Sequence, residues 1–458
     1  MEKQLFDVFE TTDKAAWQQQ TLKDLKGKPL ESLLWETDLG FAVQPYYTAE
    51  DARNALLPLL HDSQKKETGW LNQPSVVYTD EKTTNGHIIR ALNGGADAIL
   101  LDLAQANTSV INFQKLLHGI KLSDTPVLFR TNGLSKQVLA SLQQFIAYHI
   151  NGGLVDDALS RWMQTGDLAP DAFEQAAQHC RDTADSPHFR PLCIDGTVLH
   201  NAGANATQEL AVMLATAVTY MDKLSDLGLS IAQIVPKIFF SVAVGTSYFV
   251  EIAKLRALRY LWAEIQRQWA FAPAPAYIHA SNSLFYDAAI TTDTNILRAT
   301  TEAMSAVIGG CDALTIRAYD VLLKPSDDFS ERIARNISTI LKEESHLNKT
   351  TDPATGSYFI DALTLQLADA AWALFLEIEQ KGGLMPAFEQ NFIQHQIEVT
   401  YQRRLEALRQ NQRIMVGVNK FRIEDSGTFS PFSITSPPSE LPFSLLPHRR
   451  IAASFESV

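Results

Sequence analysis

Residues 237–281 read KIFFSVAVGTSYFVEIAKLRALRYLWAEIQRQWAFAPAPAYIHAS, and this stretch decides the fold. KIFFSVAV (237–244) is apolar on both faces of an extended chain. SYFVEIAKLRALRYLWAEIQRQWA (247–270) spaces its apolar residues as a helix does. AYIHAS (276–281) is a second short apolar run. Strands buried on both faces and joined by a helix belong to parallel sheets, covered on both sides. The stretch therefore predicts a βαβ unit.

The same rhythm continues outward. Further strands are predicted at PSVVYT (74–79), DAILLDL (97–103), PVLFRT (126–131), PLCIDG (191–196) and DALTIR (312–317), with GGLVDD (152–157) as a weaker eighth. Helical patterns fill 83–93, 108–120, 134–149, 205–226, 291–308, 328–346, 360–381 and 387–411. Eight strands alternating with helices predict an α/β fold, a (β/α)8 TIM barrel, with an open doubly wound sheet as the competitor. The barrel is expected over residues 71–424. Residues 1–70 form an N-terminal arm, polar and amphipathic at first, with Trp17 and Leu22 among charges. Its segment WETDLGFAVQPYYTAED (35–51) is extended, and Pro45 keeps it out of a central strand. Residues 425–458 are expected to be a tail or linker, because 426–450 is rich in Ser and Pro.

Composition narrows the class. The 458 residues are 46% hydrophobic and 20% charged, which excludes disorder for the bulk of the chain. Lys and Arg number 39 against 52 Asp and Glu, a net charge of −13, so a nucleic-acid partner is not expected. Cys180, Cys193 and Cys311 make neither a disulfide framework nor a metal cluster. The acidic N-terminus carries no apolar run of signal-peptide length, and no segment approaches about 18 uninterrupted apolar residues. A reduced, cytoplasmic protein with no membrane partner is the expectation.

Phosphate-loop, dinucleotide, zinc-helix, CxxC and nucleophile-elbow motifs are all missing, so no metal site is expected. Candidate chemistry sits at strand ends, where barrel enzymes keep it. The fifth strand runs into DGTVLHNAGAN (195–205), offering Asp195 and His200 for acid–base work. A plainer reading makes Asp195 a turn cap and His200 a backbone-bonded side chain. The seventh strand offers His279 with Ser281 and Asn282, and its plainer reading is an interior histidine satisfied by hydrogen bonds. In FSERIARN (329–336), Arg332 and Arg335 are candidate anion ligands or ion-pair partners, behind Asp328 and Ser330 as caps. DPATGSYFID (352–361) reads as a turn, and Lys254, Arg256, Arg259 and Arg267 as a solvated helix face.

Seven strings then stand out together: WETDLGFAVQPYYTAED, DGTVLHNAGANATQEL (195–210), EIAKLRALRYLW (251–262), TEAMSAVIGG (301–310), DDFSERIARN (327–336), DPATGSYFI (352–360) and VGVNKFR (416–422). In this order they resemble the methylmalonyl-CoA mutase family, over roughly residues 30 to 422. The resemblance implies a barrel of this kind and a radical interconversion of methylmalonyl-CoA and succinyl-CoA with adenosylcobalamin. In that chemistry the cofactor is the radical source, while the protein positions substrate.

Measured against the family, this sequence departs where chemistry would sit. The DxHxxG motif that supplies a cobalt ligand does not occur. An RGPY-type segment, with its tyrosine over the substrate, is replaced between Asp51 and Asn85, leaving Trp70 and Gln73 as remnants. GYHMQEAGA becomes GTVLHNAGA, which puts Val198 in the histidine's place, and valine can neither donate a proton nor accept a hydrogen bond. An RTHxQTSG-like string becomes YIHASNSL, so Tyr277 stands for the arginine and Ser281 for the glutamine, with His279 alone matching. The pattern resembles the small (beta) subunit of heterodimeric mutases.

The resemblance thus implies a structural, catalytically silent barrel with no catalytic or cofactor-binding residues of its own. It implies a heterodimer with a large catalytic subunit that holds the adenosylcobalamin. The arm at 1–50, with Trp17, Trp35, Tyr46 and Tyr47, is a candidate interface, unless these aromatics seal the bottom of the barrel. One alternative is an active acyl-CoA mutase barrel served by a separate cobalamin-binding protein. Another is a regulatory acyl-CoA site lined by His279, His200 and Asp195.

Overall fold

The computed structural model describes residues 12–104, 106, 111–422 and 441–456. Within the arm, β1 (Trp35–Glu36) and β2 (Ala42–Val43) pair antiparallel. Ten short strands follow. The first five are β3 (Leu71–Asn72), β4 (Ser75–Val77), β5 (Ile99–Asp102), β6 (Val127–Arg130) and β7 (Gly152–Val155). The rest are β8 (Phe189–Arg190), β9 (Leu192–Asp195), β10 (Ile238–Val244), β11 (Ile278–Asn282) and β12 (Ala313–Thr315). All eight expected strands are present, within two or three residues of their expected ends.

These strands form two parallel five-stranded sheets, ordered β3-β12-β11-β10-β9 and β4-β5-β6-β7-β8. The sheets meet at two prolines. Pro74 separates β3 from β4, and Pro191 separates β8 from β9. Proline has no N–H to give a ladder, so each strand changes partner there. On one side of Pro74, the Leu71 and Gln73 amides donate to the carbonyls of Asp312 and Leu314. On the other, the Pro74 carbonyl accepts from Leu100 at 3.0 Å. The segment 189–195 behaves alike, pairing first with β7 and then with β10.

β7 reads weakly because it opens with two glycines, and its neighbours explain them. A Cβ on Gly152 would lie 2.0 Å from the Val127 carbonyl oxygen, and one on Gly153 would lie 2.3 Å from that of Arg190. Only bare backbone fits between β6 and β8.

Three long helices cover one flank: Ala206–Asp226, Tyr248–Gln268 and Tyr358–Gln380. The first opens on a capping box, Asn205 with Gln208, which satisfies amides that the helix cannot. The last is apolar and long enough to cross a membrane, with a mean hydropathy of 1.4. Half of that stretch is buried in the protein instead, against the other two helices. Shorter helices at Ala158–Thr165 and Ala172–Asp182 were not expected from the sequence. The helix opening at Asp328 is capped by Asp327, not by Asp328, and Ser330 closes its capping box.

Lys254, Arg256 and Arg259 are not a solvated face. Their side chains are 1–2% exposed and paired: Lys254 with Glu209 and Glu251, Arg256 with Asp352 and Asp361, Arg259 with Asp312. The 352–361 turn is therefore a clamp on Arg256. The three cysteines are free and buried, and burial pushes the thiols of Cys180 and Cys311 up to about 12.

The arm's segment around residues 38–47 packs beside the carboxyl ends of the strands, while residues 65–70 reach their amino ends. Asn205 donates to the Asp38 carbonyl and Thr207 to that of Leu39, both from the start of the helix that follows β9. Tyr47 lies edge-on to Phe359, and Trp17 rests on Tyr46. These residues do not close the opposite end. Of the expected tail, 425–440 and 457–458 lie outside the described residues, while 441–456 folds onto the body.

Candidate functional site

Asp195 ends β9 and caps the short helix Thr197–Ala202, accepting from the Thr197 amide at 3.0 Å and hydroxyl at 2.6 Å. That helix turns His200 inward. His200 Nδ1 lies 2.8 Å from Glu209 Oε1, and Nε2 lies 2.7 Å from Ser283 Oγ. Its carboxylate partner is thus Glu209, not Asp195, and its bonds go to side chains, not backbone. Lys254 Nζ bonds the other Glu209 oxygen at 2.8 Å and the Ala243 carbonyl at 2.8 Å. Burial alone would raise the Glu209 carboxyl, but Lys254 and His200 hold it below its ordinary value. Ser283, His200 and Glu209 repeat the hydrogen-bond order of a hydrolytic triad. Ser283 is fully buried, however, and no substrate reaches it.

His279 on β11 lies on the same sheet face as Ser241 of β10 and Thr315 of β12. Its Nε2 lies 2.9 Å from Thr315 Oγ1, and its Nδ1 lies 3.1 Å from Ser241 Oγ. Thr315 gives its own hydrogen to the Gln73 carbonyl at 2.6 Å, so Nε2 must donate and Nδ1 must accept. Burial, then the charges of Arg130 and Arg317, push the imidazole down to about 3. His279 is thus a neutral imidazole with both ring nitrogens hydrogen-bonded. Ser281 is buried with its hydroxyl unpartnered, and the two oxygens of Asn282 hold Arg317. Val198 is 6% exposed and sits in the apolar core. The four candidates Asp195, His200, His279 and Ser281 share no hydrogen bond. Of the two arginines in 329–336, Arg335 donates to the Gly94 carbonyl and Arg332 lies over the Phe329 ring.

Residues 441–456 run across the carboxyl-end loops. Leu446 donates to the Met163 carbonyl at 2.8 Å, Arg449 to that of Asn201 at 2.8 Å, and Ile451 to that of Phe285 at 3.0 Å. Glu456 accepts from the Ala289 amide at 2.7 Å and pairs with Arg450 at 2.7 Å. Beneath this strap lie Asp287, Arg317 and Arg298. Burial raises the Asp287 carboxyl to about 7, against the pull of these arginines and Arg450.

The opposite, amino end of the strands holds a cavity of about 690 Å³, within the range of small-molecule sites. Lys65, Lys66, His188, Arg190, Arg259 and Lys342 face it, against Glu67 and Asp312. Arg259 is 1% exposed and bonds Asp312 through Nη2 at 2.7 Å, while its Nε and Nη1 have no partner. The Arg190 guanidinium stacks 4.3 Å over Tyr277. Buried arginine nitrogens left unpaired beside a basic cavity suit an anion.

Sequence reasoning missed Glu209, Ser283, Arg317 and this cavity. Glu209 sat in a quoted motif, nine residues after His200, and an acid at that spacing inside a capped helix was the available signal. Nothing local marked the cavity, whose residues come from segments spread over 65–348.

Among the described residues, no group of three or more His, Cys, Asp or Glu side chains is placed to hold a metal ion. Both ring nitrogens of His200 and of His279 are engaged, so neither of these two fits a cobalt ligand's role.

Residues 105–437 match the profile of the family described as Methylmalonyl-CoA mutase. The chain is 34% identical over 441 residues to the methylmalonyl-CoA mutase small subunit of Porphyromonas gingivalis, across 92% of this chain and 71% of that protein. It is 32% identical over 418 residues to the small subunit of Streptomyces virginiae, across 87% and 67%. A methylmalonyl-CoA mutase of Cereibacter sphaeroides is 28% identical over 459 residues, across 90% and 65%.

Proposed function

This chain belongs to the methylmalonyl-CoA mutase family, and from that premise we propose that it is a small subunit acting as a catalytically silent, stabilising partner. The observation that carries the reading is the state of the strand carboxyl ends. There His200 and His279 are spent on internal hydrogen bonds, Val198 is core, and residues 441–456 lie across the loops. In this reading the strap covers the end at which an acyl thioester and cobalamin would have to enter. We therefore route no step through cobalamin in this chain and assign the cofactor to a large catalytic subunit, joined to this one in a cytoplasmic heterodimer. The body that does the stabilising is, in this reading, one closed ring of eight strands. Support comes from the partner exchange at Pro74 and Pro191, which links the two sheets at both junctions.

The test is a paired assay. The chain is assayed alone and co-expressed with a large subunit from the same source, for methylmalonyl-CoA/succinyl-CoA interconversion with adenosylcobalamin, and sized by light scattering. The expected result is no turnover alone and an active one-to-one complex. Turnover by the chain alone, or with only a free-standing cobalamin-binding protein, overturns silence in favour of an active barrel.

One observation favours a second reading, that of a regulatory ligand site: the amino-end cavity with its unpaired Arg259 nitrogens. The ligand class is an anionic acyl-CoA-type molecule. Its site differs from the strand-end residues Asp195, His200 and His279 first considered for it. Calorimetry with CoA esters at millimolar concentration, with Arg259→Met as control, decides it, and absence of heat removes the reading.

A further inference from the structure

The amino-end cavity has a closed floor. Leu100, Leu128 and Val155 of one sheet pack with Cys193 and Phe239 of the other and with Tyr277 just before β11. The first five are buried, and the cluster is separate from the cores that the helices cover. Tyr277 also lines the cavity, so this apolar layer is its inner wall. Two residues further along the strands, Ser241, His279 and Thr315 form a second layer joined by hydrogen bonds. A ligand seated in the cavity ends at the first layer and cannot run on between the sheets.

Charge narrows the ligand once paired cations are set aside. Lys342 pairs with Asp97 at 3.0 Å. Lys66, 4.0 Å from Asp62, and Glu67 stand on the exposed rim. On the inner wall remain Lys65, Arg190 and Arg259 against one carboxylate, Asp312, an excess of two positive charges. Asp312 is already engaged, with Lys65 at 3.2 Å, Arg259 at 2.7 Å and the Ile278 amide at 2.7 Å. Arg190 makes no ion pair among the described residues, and its guanidinium stacks on Tyr277. Arg259, 1% exposed, keeps Nε and Nη1 without an acceptor. Buried guanidinium donors left unmade are costly, and phosphoryl oxygens satisfy them with charge-assisted hydrogen bonds.

We propose that the cavity holds a compact dianion of the phosphate-monoester class, whose phosphoryl oxygens accept from the unspent N–H groups of Arg190 and Arg259. The inference rests on the ligand-site reading of this cavity and narrows its ligand. The phosphoryl head is what binds, and no acyl chain follows it inward past Phe239 and Tyr277. Two negative charges on one tetrahedral head match the excess on the wall. A short dicarboxylate carries the same charge, but splits it between two ends.

The experiment is calorimetry on the full chain with glycerol 3-phosphate, malonate and acetyl-CoA as probes. The variants are Arg190→Gln and Arg259→Lys, with Arg332→Gln as an exposed control outside the cavity. Thermal melts check folding. Should Arg259→Lys unfold, Arg190→Gln decides alone, because its side chain has no ion pair to lose. The expected result is binding of glycerol 3-phosphate to the wild type, at least tenfold weaker in both cavity variants and unchanged in the control. Malonate should bind at least tenfold more weakly than glycerol 3-phosphate, and equal affinity overturns the phosphate class. Binding that neither cavity variant weakens places the anion elsewhere and overturns the proposal. Heat with acetyl-CoA but none with glycerol 3-phosphate overturns the compact ligand and leaves the ligand-site reading standing. Silence with all three probes overturns both.

Discussion

Valine at 198 is one missing part among several, and its packing shows why restoring it alone is futile. An imidazole placed there enters the apolar core at a site 6% exposed. Val198→His is expected to give no turnover in the isolated chain, assayed with adenosylcobalamin and a free cobalamin-binding protein. Two buried titratable groups make a sharper prediction about stability. His279 folds with its pKa lowered from 6.5 to about 3, so the unfolded chain binds the proton first, and this term destabilises the fold as pH falls below 6.5. Asp287 folds with its pKa raised from 3.8 to about 7, so the native state holds the extra proton, and this term destabilises the fold as pH rises from about 4 to 7. Asp287→Asn should therefore gain stability over wild type as pH rises through that window, by on the order of 1 kcal/mol per pH unit. Urea midpoints at pH 5, 6, 7 and 8 check the direction, and a constant difference would show that Asp287 is ionised throughout.

At the scale of elements, most of the architecture was legible. β10 is apolar on both faces, as strands of a sheet covered on both sides are. The two-glycine strand β7 was weak because its reason lies in other strands: the carbonyls of Val127 and Arg190 occupy the space of any Cβ. Gly152→Ala should cost at least about 3 kcal/mol, as a buried clash at positive φ, read from urea unfolding. Charge on the helix Tyr248–Gln268 was misread for a related reason. Helical spacing is the same for a solvated face and a paired buried one, and apart from Glu251 on the same helix the acids that pair Lys254, Arg256 and Arg259 stand 45, 53, 96 and 105 residues away. Removing the charge in Arg256→Met leaves Asp352 and Asp361 facing an apolar stub. A loss of roughly 3–5 kcal/mol follows, whereas the exposed Arg403→Met should cost under about 0.5 kcal/mol.

For the whole molecule, the two ends of the strand set differ in kind. At the carboxyl end, charged groups are paired, neutral or roofed, and at the amino end arginine nitrogens stand unpaired around an open cavity. Sequence motifs pointed to the first end and were silent about the second, because a cavity made of residues from nine separate segments leaves no local string. A subunit of the kind we propose would contribute surface rather than chemistry. Its presence should raise the melting temperature of the large subunit's barrel by several degrees in scanning calorimetry, in proportion to complex formed. A large subunit equally stable without it would leave the chain without a stabilising role.

The three buried thiols carry a practical consequence. Cys180 lies in an outer helix, Cys193 in β9, and Cys311 just before β12. Folded, none is a nucleophile at neutral pH, since each is held protonated and out of reach. Each is thus a clock for its own neighbourhood. A thiol reagent added to the native chain reacts only during an opening event, and mass spectrometry of the labelled peptides times three regions separately in one tube. A companion that clamps the molecule would slow all three clocks, and one that merely rests on a rim would slow only the nearest.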